Sequence, residues 1–195
     1  MFCRFFLALV ISLLFANIIY AEPYGPTIYE IVNKYPATRN FENLTENMSR
    51  EPLAIRLGMS FKEVEDWVAK SKIYEITSKK DSIYHFVQKD VGSTFHDLSF
   101  DVIFQKGKVM MIKIHNLNDF EFDEENIANL KPLKEVKVNE CWSRRNYIDL
   151  NALKNGYDFV FQTELGSPSG ECMGSDRANV TIGQPGLLYP NHLKK

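Results

Sequence analysis

The most regular alternation of apolar and polar positions runs from Leu98 to Ile114. Leu98, Phe100, Val102 and Phe104 stand at every second place before Gln105-Lys106-Gly107, and Met110, Ile112 and Ile114 do so after it. A period of two predicts two strands, each with one apolar face, joined as a hairpin. A three-residue loop Gln105-Lys106-Gly107, with Gly107 in the left-handed position that makes a bulge, pairs Val102 with Met110, Phe100 with Ile112 and Leu98 with Ile114. A two-residue loop would set Phe100 opposite Lys113, so the pattern predicts the longer one. The other face then carries Asp97 across from His115 and Ser99 across from Lys113, with Asp101 diagonal to Lys113. That face is polar and is expected to meet water. Upstream, "KIYEITSKKDSIYHFV" predicts a second hairpin. Its three-residue loop Lys79-Lys80-Asp81 pairs Ile76 with Tyr84 and Tyr74 with Phe86.

The period changes to 3.6 in "RLGMSFKEVEDWV", Arg56 to Val68. Phe61, Val64, Trp67 and Val68 fall on one side of a helix from Phe61 to about Lys70, and Lys62, Glu63, Glu65 and Asp66 on the other. Ser60 with Glu63 three residues on fits a capping box, and Met59 can staple onto Val64. A shorter amphipathic helix is predicted from Pro26, with Ile28, Ile31, Val32 and Tyr35 on its apolar stripe and Pro36 at its end. Between the two helices, "ATRNFENLTENMSREP" is polar and reads as a linker or surface loop.

After Asn116 the signals are shorter. Asp123 can cap a helix from Glu124 to about Leu130 that Pro132 ends, and "LKEVKV" and "YDFVFQT" alternate like strands. "GSPSGECMGSD" is a Gly/Ser loop, and "GQPGLLYPNHLKK" has the Pro and Gly of an extended or disordered end. The expected fold class is α+β, with helices packed on one face of a small antiparallel sheet and a C-terminal β-rich extension. The expected divisions are 1–21, a helix and loop over 22–53, the helix and hairpins over 54–118, the extension over 119–182 and a flexible tail over 183–195.

The first residues change the picture of where this fold resides. Arg4, an apolar run from Phe5 to Phe15, and Ala21 before the polar "EPYGP" have the layout of a secretory signal peptide cleaved near Ala21, with Ile19 where a small residue is usual. Retention as a membrane anchor is the competing reading, since about 20 apolar residues can span a bilayer. A lipoprotein would need cysteine at the first mature position, which is Glu22; Cys3 lies too early. The expected location is periplasmic or secreted. Export makes a disulfide between Cys141 and Cys172 the simplest use of the two remaining cysteines, and two buried free thiols the alternative. The formal net charge of −2 supplies no basic excess for nucleic acid or an anionic membrane.

Candidate chemistry is sparse. The chain has four histidines, His85, His96, His115 and His192. A metal site needs at least three converging ligands, and the expected register sends His96 and His115 to opposite faces, so no metal and no cofactor are expected. The acidic run Asp119, Glu121, Asp123, Glu124 and Glu125 lacks the glycine and distal glutamate of a calcium loop. No GxSxG nucleophile elbow occurs, and no catalytic residue is assigned. Asn43, Asn47 and Asn179 each open an Asn-x-Ser/Thr triplet, which matters only in a glycosylating host. Arg144 and Arg145 beside Cys141 and Trp142 have the composition of a binding hot spot; a core tryptophan near a disulfide with two solvated arginines is the plainer alternative. The candidate binding residues are therefore Trp142, Arg144, Arg145, Asp97 and His115.

Gly58, Met59, Ser60 and Val64, then Tyr84 and Phe86, then Leu98, Phe100, Val102, Phe104, Gly107, Val109 and Ile112 form a pattern that resembles the SmpA/OmlA (BamE) family of outer-membrane-assembly lipoproteins. It is also similar to the beta-lactamase inhibitor protein domain. The resemblance covers about residues 54 to 115. It implies helices on one face of a three- or four-stranded antiparallel sheet, no catalysis, and a role in binding other proteins. The lipid-bearing cysteine is missing, the Gly-x-Pro that follows the family's helix is replaced by "AKSKIYE", and the chain from Asp119 onward has no counterpart in the family. The expected function is that of an exported, non-enzymatic protein-binding protein of the bacterial cell envelope. A periplasmic inhibitor or immunity protein acting on a secreted enzyme or toxin is the alternative, and a secreted hydrolase or small-ligand carrier a third reading. The partner expected is another protein, with no nucleic acid and no stable membrane insertion after cleavage.

Overall fold

Period-two segments become strands only when a neighbour supplies the second half of each ladder, and here the neighbours come from both ends of the chain. A computed structural model describes residues 22–34, 53–89, 99–115, 129–133, 136–139, 142–166 and 177–189. It contains strands β1 (Tyr74–Lys80), β2 (Ile83–Gln88), β3 (Ser99–Gln105), β4 (Lys108–His115), β5 (Lys131–Pro132), β6 (Val136–Lys137), β7 (Trp142–Ile148), β8 (Asp158–Gly166) and β9 (Arg177–Gly183). Three short helices accompany them among the described residues: α1 (Ile28–Lys34), α2 (Phe61–Lys70) and α3 (Leu150–Lys154). The strands form one antiparallel sheet in the order β1-β2-β3-β4-β9-β8-β7-β5, with β6 also paired to β7. The fold is α+β and mostly sheet. β9 lies between β4 and β8, with Ile112 opposite Ile182 and Ile114 opposite Val180. The division expected at residue 118 therefore falls inside one continuous sheet.

Register explains the core. One row across the strands reads Tyr84, Val102, Ile112, Ile182, Phe159, and the next reads Phe86, Phe100, Ile114, Val180, Phe161, Tyr147. All are buried except Tyr84, which is half-buried against the same cluster. The rows are covered by Ile28 and Ile31 of α1, Val64 of α2, and Leu53, Ile55 and Leu57 of an extended segment. That segment is tied to the first residues by Tyr24 N to Leu57 O at 2.9 Å and Ile28 N to Ile55 O at 3.2 Å. Burying each large apolar side chain contributes about 1.5–3 kcal/mol before conformational entropy is subtracted. Phe61 stacks on Phe104 at 4.1 Å between ring centroids, and Phe86 on Phe100 at 4.7 Å, so aromatic rings fill much of the interface between α2 and the sheet.

Both hairpins exist as the alternation predicts, but neither uses the expected loop. The turns are the two-residue pairs Asp81-Ser82 and Lys106-Gly107, with φ of 48° and 69° and of 50° and 75°. Two left-handed residues match the twist of the flanking strands. Beside each turn one strand carries an extra residue. Met110 is passed over between Phe104↔Val109 and Ile103↔Met111, and Thr77 between Ser78↔His85 and Ile76↔Phe86. The resulting partners, Val102↔Ile112 and Phe100↔Ile114, are two residues away from the expected Val102–Met110 and Phe100–Ile112. Likewise Ile76 meets Phe86 rather than Tyr84. The bulge restores the parity that a two-residue turn alone would break, so the apolar side chains keep to the covered face. Leu98 lies outside the described residues.

α2 has the expected bounds because its start is chemically specified. Ser60 Oγ accepts from Glu63 N at 3.2 Å and Glu63 Oε2 accepts from Ser60 N at 2.6 Å. Two residues earlier, Gly58 has φ of 83°, and a Cβ there would stand 3.3 Å from Glu22 O. Only glycine suits both the backbone angle and the approach. α1 starts on a second box: Thr27 Oγ1 accepts from Glu30 N at 3.1 Å and Glu30 Oε2 from Thr27 N at 2.7 Å. On its stripe Ile28 and Ile31 are buried, while Tyr35 and Pro36 lie outside the described residues.

In the second half, β6 falls within "LKEVKV", and β8 starts within "YDFVFQT" and runs on to Gly166. The helix expected over Glu124–Leu130 lies outside the described residues apart from Asn129 and Leu130, which form a turn and bend. Pro132 belongs to β5, opposite Tyr147. The tail differs from its expectation as far as Tyr189. Asp158, fully buried, accepts from Gly186 N at 3.1 Å and Leu188 N at 2.7 Å, and Tyr189 donates its hydroxyl to Phe159 O at 2.7 Å. The signal-like segment 1–21 lies outside the described residues, and among those described no helix is long and apolar enough to cross a membrane.

Ser60→Ala removes one half of the α2 cap and is expected to lower unfolding free energy by about 1 kcal/mol, read from urea denaturation. Asp158→Ala strips two backbone amides of their charged acceptor; a loss of about 3 kcal/mol and faster hydrogen exchange at Gly186 and Leu188 are expected. Unchanged exchange there would mean that the tail is held by something else.

Candidate functional site

The parity that turns Phe100 and Val102 inward turns Asp101 outward. Its register partners on that open face are His85 of β2 and Lys113 of β4, and the adjacent pair is Ser99 with His115. The carboxylate bridges both imidazoles: His85 Nδ1 lies 2.7 Å from Oδ1 and His115 Nε2 lies 2.8 Å from Oδ2. The three side chains are 37%, 23% and 32% exposed, so the cluster is partly sheltered on three neighbouring strands. Burial of the Asp101 carboxyl opposes its charge, but hydrogen bonds and charge from His85 and His115 outweigh that and hold its pKa below the ordinary 3.8.

Further along the open face polar and apolar residues are mixed: the Asp101 row continues through Thr181 to Val160 and Ile148, and the row beside it holds Ile83, Ile103 and Met111. Lys113 stands opposite Thr181, and Gln162 stands between Asn179 and Asn146, to whose Oδ1 it donates at 2.8 Å. Asn179 is thus a mid-strand residue of β9. Arg144 stands opposite Glu164, which in turn stands opposite Arg177. Arg145 faces the other way, on the covered side, where Nη1 donates to the Tyr147 hydroxyl at 3.5 Å and its carbonyl accepts from Thr163 Oγ1 at 3.4 Å.

The candidate residues are therefore divided. His115 keeps its place on the open face, but its partner is Asp101 rather than the expected Asp97, because the bulge at Met110 moves Ser99 opposite it. Arg144 and Arg145 fall on opposite faces and cannot form one hot spot. Trp142 opens β7 opposite Gly166. Asp97, His96, His192, the acidic run Asp119–Glu125 and both cysteines, Cys141 and Cys172, lie outside the described residues. His85 is the member that sequence reasoning left aside; the apolar Tyr84 and Phe86 on either side of it already placed it on the polar face.

An imidazole oriented by a carboxylate can exchange protons or present its second nitrogen to a partner. Catalysis of acyl transfer by such a pair needs a nucleophile in hydrogen-bond reach. Ser99 is opposite His115 in register, yet among the described residues its hydroxyl makes no hydrogen bond to that ring. Each imidazole uses a different oxygen of Asp101, so the carboxylate bridges the two rings. Among the described residues no group of three His, Cys, Asp or Glu side chains is arranged to hold a metal ion.

No family model, no curated protein and no solved structure matches this chain.

A folded-state pKa below the ordinary value means that the stabilisation from Asp101 is complete above the ordinary carboxylate range and is lost as pH falls through the folded value. Asp101→Asn is expected to cost about 1–2 kcal/mol at pH 7, and the gap between the two proteins to close progressively below about pH 4. Urea denaturation across that range reads it. A gap independent of pH would show that the charge of Asp101 is not what binds the two histidines.

Proposed function

We propose that this is an exported, non-enzymatic protein-binding protein of a bacterial cell envelope, which engages its partner through the open face of the sheet. The observation that carries the reading is the contrast between the two faces. One is closed by α1, α2 and the segment 53–57; the other carries the ordered polar cluster of Asp101, His85 and His115, beside the half-buried Ile103 and Met111. Side chains fixed by strands and by each other lose little freedom on binding, which favours recognition by preformed polar contacts. The capped helix beside aromatic hairpins, with Gly58, Met59, Ser60 and Gly107, adds the resemblance to the SmpA/OmlA (BamE) family and its protein-binding role.

A photo-crosslinking residue in place of Lys113, on the open face, is compared with one in place of Asp66, on the water-facing side of α2, in envelope preparations of the source organism. A specific protein adduct from position 113, weakened at least about fivefold by Asp101→Ala, is expected. Adducts only from position 66, or equal adducts from both, overturn the assignment of the binding face. The identity of the adduct separates an assembly partner from a secreted enzyme or toxin held by an inhibitor.

A further inference from the structure

On the covered side of the sheet, away from the open face, a cleft of about 380 Å³ lies between α1, the extended segment 53–57 and the connection from β7 through α3 to β8. Its floor is apolar, from Ile31 and Phe159, both buried. Its walls are charged and unevenly satisfied. Leu53, Ile55 and Leu57 are buried in the core, and Arg56, between two of them, is held with its side chain on the cleft side. Arg56 is half-buried as a residue, and its side chain makes no hydrogen bond or ion pair among the described residues. The Tyr157 hydroxyl also lines the cleft without a hydrogen bond; burial, then the charges of Asp149 and Glu30, push its pKa up, so it stays a donor.

The same cleft is lined by the carboxylate of Glu30. Glu30 uses Oε2 for the α1 cap, at 2.7 Å from Thr27 N and 2.9 Å from Thr27 Oγ1, while Oε1 is unoccupied. The Thr27 bonds, aided by the charge of Arg56, hold the Glu30 carboxyl below its ordinary range, so it is ionised near neutrality. Asp149 is almost fully buried and its Oδ1 is engaged by Asn151 N at 2.8 Å and Ala152 N at 3.2 Å. It adds negative potential to that wall.

These charges select among ligands. A purely anionic ligand would meet Arg56 and Tyr157 but would bring its charge toward Glu30 and Asp149. A purely cationic one would find Glu30 but would bring its charge toward Arg56. A molecule with a free carboxylate and a free ammonium satisfies both walls, and an apolar side chain suits the floor. The volume is within the range of small-molecule sites. We propose that this cleft binds a zwitterion with an apolar body, an α-amino acid or a dipeptide, with Arg56 and Tyr157 on its carboxylate and Glu30 on its ammonium group. This inference does not rest on the protein-binding role of the open face.

The purified, ¹⁵N-labelled protein is titrated with leucine, phenylalanine and Leu-Leu, and separately with N-acetyl-leucine and leucinamide, each of which lacks one of the charges. Saturable shifts of the amides of Gly25, Ile31, Arg56 and Tyr157 are expected with at least one zwitterion. Acetylation and amidation should each weaken binding by about tenfold, the scale of one charged hydrogen bond in a sheltered site. Arg56→Gln should reproduce the loss seen on amidation. Tyr157→Phe, which removes only a hydroxyl that makes no hydrogen bond among the described residues, should weaken binding about threefold and serves if Arg56→Gln does not fold. The relative affinities of leucine and Leu-Leu decide between the two ligand sizes. No saturable shift with any zwitterion up to about 10 mM, equal affinity for the capped compounds, or undiminished binding by a folded Arg56→Gln variant would falsify the proposal.

Discussion

Every second residue of a strand faces the same way, and the structure depends on keeping that parity through two places where it is interrupted. Each of the first two hairpins turns in two left-handed residues, which by itself would carry the following strand out of phase with its partner. One inserted residue, Thr77 in β1 and Met110 in β4, restores the phase. Phe86, Phe100 and Ile114 then form a single buried row, and His85 and Asp101 come level on the opposite side with His115 one place further on. Core and polar cluster are two results of one registration. A slip by one residue would lose both together.

β9 extends this registration to the rest of the molecule. Ile182 and Val180 continue the apolar rows of β4 into β8, so the sheet has one covered face from β1 to β7 rather than two small cores. Beyond β9 the chain is tied down by Asp158, a buried carboxylate at the start of the neighbouring strand. Charges of that kind are tolerated inside a protein only when backbone amides replace the water they have lost. Glu65 performs an exposed counterpart on the helix side, accepting from Lys79 at 2.6 Å and the Tyr84 hydroxyl at 3.0 Å and so linking α2 to the first hairpin.

What could be read from the sequence follows the range of the interactions responsible. α2 was legible to the residue because its cap, apolar stripe and preceding glycine all lie within thirteen positions, Arg56 to Val68. The Thr27-x-x-Glu30 box of α1 offered the same local signal. The hairpins were legible as hairpins, but alternation defines only which face a residue takes, and a register displaced by two satisfies it equally well. That displacement gave His115 the wrong carboxylate. β7 and β9 carry few apolar positions: among the residues whose burial is described, "WSRRNYI" buries Tyr147 and Ile148, and "RANVTIG" buries Val180, Ile182 and Gly183. Their strand character comes from partners far away in the chain. The cleft draws on Glu30, Arg56, Asp149 and Tyr157, which no window of sequence contains together.

The insertion of β9 also sets a timetable. β4 is complete by His115, yet its outer hydrogen-bonding edge is filled by residues about seventy positions later, as with Lys113 and Thr181. A chain emerging from its amino end therefore holds an apolar hairpin with one raw edge for as long as it takes to make the remaining strands. Such an edge can recruit the wrong strand, from another copy or another protein. A chain kept unfolded until its whole length is available would avoid that interval, so the topology favours folding that begins once the last strand is present.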